Sequence, residues 1–430
     1  MLSIAERIKS SDIARRMVHG AFWSLTGTAS GKFCILLSGI VCARLLGKEG
    51  FGELGMLRST IGMFIVLGSA GIGVTVTRFI SQYRDTRKDY VLSIYHLSNL
   101  FAWSSAIIIA LILMLFATPI ATNILQAPQL STSVQIGSLL LLASILNASQ
   151  QGALAGMEDF KAIAINTFGA SIAEAVLMAL GAWIWGVEGA IIGFGLGIVV
   201  LWLTNSWSVR KVFKKAGISS GLKELELESR HILYYYCLPA TLSALTVTPA
   251  FFAIRALLVK GCGYNELAIF EAADQWKVII LFIPGAISNI ALPILSSTSK
   301  KQTFKQALKA NIILVGIISA SIALIISIMS PFIMPLYGSD FGNHLPLIIL
   351  AISTIFSSIA TIIEMAIYSK DRMWDCFWMN LLWALLLIGI CHILLKLNYG
   401  ATAPAMAVLL SYLVKTIYMS VYILKINEAE

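Results

Sequence analysis

Charged residues are scarce in this sequence of 430 residues. Asp, Glu, Lys and Arg together make up 12% of it, about half the share of an ordinary soluble domain. Long polar segments are equally scarce, so no loop can hold a soluble domain with a core of its own. The six cysteines form no C-x-x-C pair. Cys34, Cys42, Cys237, Cys376 and Cys391 fall in or beside apolar runs and Cys262 in a short loop, which points to buried thiols rather than disulfides or a metal centre. His19, His96, His231, His344 and His392 are scattered, and that spacing argues against zinc. No G-x-x-x-x-G-K-[ST] loop for a nucleotide occurs. Ser/His/Asp sets, D-x-D motifs and acid-rich outer loops are also missing, so the sequence reads as a non-enzyme with no cofactor.

What is present is apolar sequence. Hydrophobic residues make up 58% and the mean hydropathy is +0.84, values that belong to membrane proteins. Runs of about 20 apolar residues, each able to cross about 30 Å of hydrocarbon, centre near Cys34, Leu67, Ile107, Leu142, Ala173, Gly195, Thr246, Leu281, Ile318, Thr354, Leu386 and Leu409. The expected fold is therefore an all-α polytopic membrane protein with twelve transmembrane helices. The basic amino terminus (Arg7, Lys9, Arg15, Arg16) runs into the first apolar stretch with no small-residue cleavage site before Cys42, which predicts a retained first span.

Orientation follows from Lys and Arg. Outside the spans, 22 of them fall at the two termini and in the loops near 78–94, 157–161, 209–232, 296–309 and 369–375. The other six loops hold five: Arg44, Lys48, Arg255, Lys260 and Lys396. Both termini are expected in the cytoplasm, and Arg44 and Arg255 are expected to mark the outer interface. The net charge of +9 is accounted for by these flanking residues and anionic lipid, so nucleic acid is not an expected partner.

The chain also repeats itself. Phe51-Gly52-Glu53-Leu54-Gly55 lies over Tyr264-Asn265-Glu266-Leu267-Ala268, a shift of 213. Gln151–Asn166 lies over Glu364–Met379 at the same shift, and Gly186 over Gly400 at 214. Three ordered matches predict two six-helix bundles: residues 1–208 as an N-terminal lobe, 209–232 as a cytoplasmic linker and 233–430 as a C-terminal lobe. An even number of spans per half gives a parallel repeat. Such a duplication favours transport by alternating access over a channel or a scaffold.

Intramembrane charge marks function by default. The spans contain Lys32, Arg58, Lys277 and Lys415, and the acids Glu174, Glu271, Asp274 and Glu364. The four cations are the candidate lining of a cationic cavity. Lys32 and Arg58 lead, because neither has an acid within helical reach. Asp274 can pair with Lys277 at i, i+3, and Lys415 either faces the cavity or pairs with Glu364. Glu174, Glu271, Asp274 and Glu364 are the candidates for ion coupling, with inter-helix hydrogen bonding as the equal alternative for Glu174 and Glu364. Most tryptophans, Trp103, Trp183, Trp185, Trp202, Trp207 and Trp383 among them, read as an interfacial belt, as do Tyr234, Tyr235 and Tyr236.

The stretch GAFWSLTGTASGKFCILLSGIVCARLLGKEGFGELGMLRSTIGMF, with its A-R-x-L-G-x-x-x-F-G pattern, resembles the first two helices of polysaccharide flippases of the multidrug/oligosaccharidyl-lipid/polysaccharide (MOP) exporter superfamily. The segments Pro331–Ser353, Gln151–Asn166 and GVEGAIIG extend that resemblance along nearly the whole chain. Length and span number look most like the Wzx-type O-antigen flippases of the bacterial inner membrane. The resemblance implies a MATE-like fold and flipping of undecaprenyl-diphosphate-linked oligosaccharide, an O-antigen or related surface polysaccharide unit, to the periplasmic leaflet. It also implies membrane lipids and other polysaccharide assembly proteins as partners, and no ATP. A proton or sodium gradient is then the candidate driving force. Two alternatives stay open: a MATE-type cation-coupled multidrug extruder, and a membrane-embedded polysaccharide polymerase or glycosyltransferase. The absence of an acid in the first span weighs against the extruder.

Overall fold

The computed structural model describes residues 12–69, 71–218, 238–287, 301–370 and 372–429. These residues fold as helices joined by short turns. The first, α1 (Asp12–Ser69), holds 58 residues, more than twice what one crossing needs. It breaks at Gly47, whose φ of 72° and ψ of −179° suit glycine alone. α2 (Ile72–Tyr83) continues the second limb after Gly71, and α3 (Lys88–Leu115) and α4 (Ser131–Gly156) follow. α5 (Phe160–Lys215) is again double, broken at Trp185 and Gly186. Then come α6 (Leu238–Cys262), α7 (Tyr264–Ile280), α8 (Lys301–Ile333), α9 (Leu345–Tyr368), α10 (Met373–Lys396) and α11 (Thr402–Ala429).

Among the described residues nine helices are long and apolar enough to cross a membrane, counting each broken helix once. Their outward faces carry large apolar side chains, such as Leu115 at 77% and Phe332 at 73% exposed. Water would not tolerate that surface over the whole body, whereas lipid does.

Close packing within the broken helix α5 rests on Gly189, Gly193 and Gly197, one stripe at i, i+4. A Cβ on Gly189 would lie 2.0 Å from the Gly181 carbonyl oxygen, and one on Gly193 would lie 2.2 Å from that of Leu177. The backbones of the two limbs meet because these side chains are absent. Nearby, buried amides knit α4 to both limbs: Asn166 donates to Asn205 at 3.0 Å and to Ser208 at 2.9 Å, and Asn205 donates to Asn147 at 3.0 Å.

α1–α5 pack on one another, as do α6–α11, and α1 makes the close helix contacts between the two sets, against α6 and α7. The turns at Gly47, Gly186 and Gly263, the segments 116–130 and 334–341, and the turn at Gly400 gather at one end of the molecule. Tyr264 donates its hydroxyl to the Leu125 carbonyl at 2.6 Å, Arg44 donates to that of Leu336 at 2.7 Å, and Ala401 N–H donates to Glu266 at 2.6 Å. At the opposite end Arg84 bonds Glu158 at 2.7 Å and Lys88 donates to the Ala216 carbonyl at 2.6 Å. Among the described residues, these turns fall into the same two groups as the count of Lys and Arg. α5 continues through Val209–Lys215, so the expected linker begins as helix. Its remainder from 219, and Tyr234, Tyr235 and Tyr236, lie outside the described residues.

Candidate functional site

The central feature is a cavity of about 380 Å³ between α1, α6 and α7, with Phe194 of α5 in its wall. Its position follows from small residues on α1. A Cβ at Gly52 would lie 2.3 Å from the Tyr264 carbonyl oxygen, and one at Gly55 would lie 2.5 Å from Glu271 Cγ. The repeated motif of the sequence is thus the point where the two sets of helices touch, with Gly52 of one copy pressed on the other copy and Gly55 on Glu271, just beyond it. Towards the Gly47 end the cavity is sealed. Gln275 packs against Gly39, Tyr337 donates its hydroxyl to Gln275 at 3.1 Å, and the Phe51 ring lies 5.7 Å from Tyr337 and 6.1 Å from Phe341.

Three cations line the cavity, Lys32, Arg58 and Arg255, together with two acids, Glu271 and Asp274. Lys32 comes from the first limb of α1, its ammonium 5.8 Å from the centre of the Phe282 ring. Arg58 comes from the second limb. It lies over the Phe194 ring at 4.9 Å and 3.8 Å from Glu174 of α5. Arg255 is 8% exposed, and its guanidinium bonds Glu271 through Nε and Asp274 through Nη2, the latter at 2.8 Å. Lys277 pairs with the other oxygen of Asp274 and lies 4.3 Å from the centre of the Phe251 ring. Both acids of the cavity are therefore engaged by cations, and with Glu174 beside Arg58 the four cations still outnumber the three acids, so the balance left for a ligand is positive.

The sequence-predicted residues separate into two places. Lys32, Arg58, Glu271 and Asp274 meet at the cavity, with Lys277 and Glu174 immediately behind as ion-pair partners. Lys415 does not join them. It is 5% exposed between α9, α10 and α11, where it donates to Asn380 at 2.6 Å and pairs with Glu364 at 3.4 Å. Glu364 also accepts from Asn380 at 2.8 Å and from the Tyr368 hydroxyl at 2.9 Å. Of the two placements left open for Lys415, the structure selects the pair with Glu364.

Two expectations need correction. Arg255 does not mark an interface: it lies two turns inside α6, and the carboxylates of Glu271 and Asp274 on α7 hold it there. Its signal in the sequence was the pair Glu271 and Asp274, two acids that one neighbouring lysine cannot neutralise. Trp383 is not a belt residue either. It is fully buried, with its ring 5.0 Å from Tyr412 and 5.6 Å from the Lys415 ammonium. Trp103, Trp183, Trp185 and Trp207 are exposed, as a belt requires. Among the described residues no group of His, Cys, Asp and Glu could hold a metal ion.

Comparison with known proteins agrees with this architecture. The chain is 22% identical to the EPS I polysaccharide export inner membrane protein EpsE of Ralstonia nicotianae, over 90% of this chain and 89% of that one. It is also 22% identical to the Lipid III flippase of Escherichia coli, over 66% and 68% of the two chains. Among solved structures, an inward-facing multidrug resistance MATE family transporter of the MOP superfamily superposes with a TM-score of 0.76 at 17% identity, covering 93% of this chain and 95% of that one. A MOP superfamily transporter from Pyrococcus furiosus, described as having a binding pocket of reversed polarity, superposes with a TM-score of 0.73 at 16% identity, covering 96% of each. These structures show a shared fold. Residues 17–299 match the family described as polysaccharide biosynthesis protein, and the chain belongs to that family, with the fold of the MOP superfamily.

Proposed function

We propose that this protein flips a lipid-linked saccharide, an undecaprenyl-diphosphate-linked O-antigen unit or a related surface polysaccharide unit, from the cytoplasmic to the periplasmic leaflet. The observation that carries the reading is the central cavity, where Lys32 and Arg58, the latter 3.8 Å from Glu174, present a net positive charge and the lining acids are already engaged by Arg255 and Lys277. A diphosphate crossing hydrocarbon would otherwise lose its hydration unaided, and cationic donors in the wall replace it. Membership of the polysaccharide biosynthesis family and the names of the relatives support the same class of cargo.

In this reading the chain is a transporter rather than an enzyme, and it lies in the inner membrane. It crosses twelve times, each broken helix counting as two spans and α2 completing the second. Both termini face the cytoplasm, so the sealed Gly47 end is periplasmic. Residues 1–208 and 233–430 form the two lobes, which rock about the Gly52 and Gly55 contact to expose the cavity to each side in turn. Glu174, Glu271, Asp274 and Glu364 supply the acids through which a proton or sodium gradient couples to that motion. A multidrug extruder with the same fold would need carboxylates free to meet a cationic drug. Fold alone does not decide between the cargoes, but the engaged acids disfavour the drug.

Deletion of the gene, followed by electrophoresis of surface polysaccharide and a drug-susceptibility panel on the same strain, tests the proposal. Loss of long surface glycan with unchanged susceptibility is the expected result. Intact glycan with new sensitivity to cationic drugs would overturn it.

A further inference from the structure

A second hollow, of about 470 Å³, lies on the flank of the first set of helices. α3 and α5 form its walls and α4 its floor, through Leu146 and Gln150. Its lining on α5 runs from Trp202 to Lys214, a rise of about 18 Å. Arg210 and Lys214 stand at one end, and Trp103 and Trp202 at the other. Between them the Tyr95 and Phe213 rings meet edge to face at 5.2 Å. The buried Gln150 amide sits 2.7 Å from the Ser206 hydroxyl, so the floor is polar and already satisfied. Trp103 in its wall is 43% exposed, and Leu100 and Phe101 beside it on α3 are exposed apolar side chains. The hollow therefore opens sideways, onto a face that the membrane covers.

Its charge is arranged rather than scattered. The last turns of α5 carry four cations in succession around the helix. Arg210 and Lys214, one turn apart, line this hollow. Lys211 and Lys215 line a smaller one on the opposite side, where Asp159 is present, and Lys211 lies 4.7 Å from the centre of the Trp207 ring. No Asp or Glu occurs among the residues lining the larger hollow. Paired cations at a helix end, above an aromatic slot open to lipid, match a phosphate with an apolar body beneath it.

We propose that this hollow binds an anionic phospholipid, with its phosphate on Arg210 and Lys214 and its glycerol and upper acyl region against Tyr95, Trp103 and Trp202. The site is separate from the central cavity, and the assignment holds whatever that cavity carries.

Native mass spectrometry of the purified full chain, titrated with dioleoyl-phosphatidylglycerol, dioleoyl-phosphatidylcholine or glycerol 3-phosphate, tests it. The first phosphatidylglycerol should bind about thirtyfold more tightly than phosphatidylcholine, the scale expected of two cations at a lipid surface, and glycerol 3-phosphate should not compete. The double variant R210A/K214A should abolish the preference. K211A/K215A removes the same charge from the other side of the helix and should keep it. An equal loss in both double variants would mean diffuse attraction and would overturn the site. So would competition by glycerol 3-phosphate as strong as that by the lipid, or no preference in the unaltered protein.

Discussion

Lys32 and Arg58 are the residues on which the proposed cargo depends. A charge-assisted hydrogen bond to phosphate contributes about 1.5–3 kcal/mol, so Lys32→Ala or Arg58→Ala should lower glycan export about tenfold or more at unchanged protein level. Lys32→Arg should retain most of it. Quantifying long surface glycan in strains expressing each variant checks this, and export at the unaltered rate in both alanine variants would count against the cavity. Arg255 belongs to a different class. Removing it strands Glu271 and Asp274 without their shared guanidinium, and breaking a buried pair costs about 3–5 kcal/mol. Arg255→Ala should therefore lower the melting temperature in detergent, and adding Glu271→Gln should recover part of the loss. These residues were unequally legible in the sequence. The pair Asp274–Lys277 needs only helical spacing and was readable. Arg58–Glu174 and Arg255–Glu271 join different helices, and their pairing is a fact of packing that one sequence does not display. Depth misled in the same way: Arg255 counts as near a span end, yet two turns of helix are enough to bury it.

Helix breaks and crossings were more legible than side-chain partners, because glycine states its purpose locally. Gly47 and Gly263 share one backbone conformation (φ 72°, ψ −179° and φ 81°, ψ 180°), and Gly186 and Gly400 both have positive φ. The sequence repeat is thus also a repeat of turns. The α5 stripe gives a contrast that stability measurements can read. Gly193→Ala places a methyl group against the Leu177 and Met178 backbone, 2.2–2.5 Å away, and should cost several kcal/mol or prevent folding, on the scale of a disrupted core. Gly169→Ala meets nothing within 4 Å and should be neutral or slightly stabilising. Equal melting temperatures for the two variants would refute the packing account. What the sequence hid at this scale was continuity. Runs around the breaks read as separate spans, whereas α1 turns back at Gly47 alone and α5 at Trp185 and Gly186, and α5 carries its helix on into the stretch read as linker.

At the scale of the molecule, the described turns of the two sets separated by counting Lys and Arg lie at opposite ends, and the contacts that close the cavity all lie at one of them. Phe51, Tyr337 and Phe341 form that closure. Tethering position 51 to position 341 through introduced cysteines and a bifunctional thiol reagent, with the native cysteines replaced, should hold the Gly47 end shut and stop transport. Full activity in the tethered protein would exclude the rocking motion. The central claim concerns cargo, and the most direct measurement is a vesicle assay with the purified full chain. Undecaprenyl-diphosphate-linked oligosaccharide is placed in one leaflet, and its arrival in the other is read by a membrane-impermeant lectin. The account predicts arrival that depends on the protein and falls about tenfold or more in Lys32→Ala and Arg58→Ala, the scale of one lost phosphate contact. Transfer at the same rate in both variants, or none above protein-free vesicles with the unaltered protein, would contradict it.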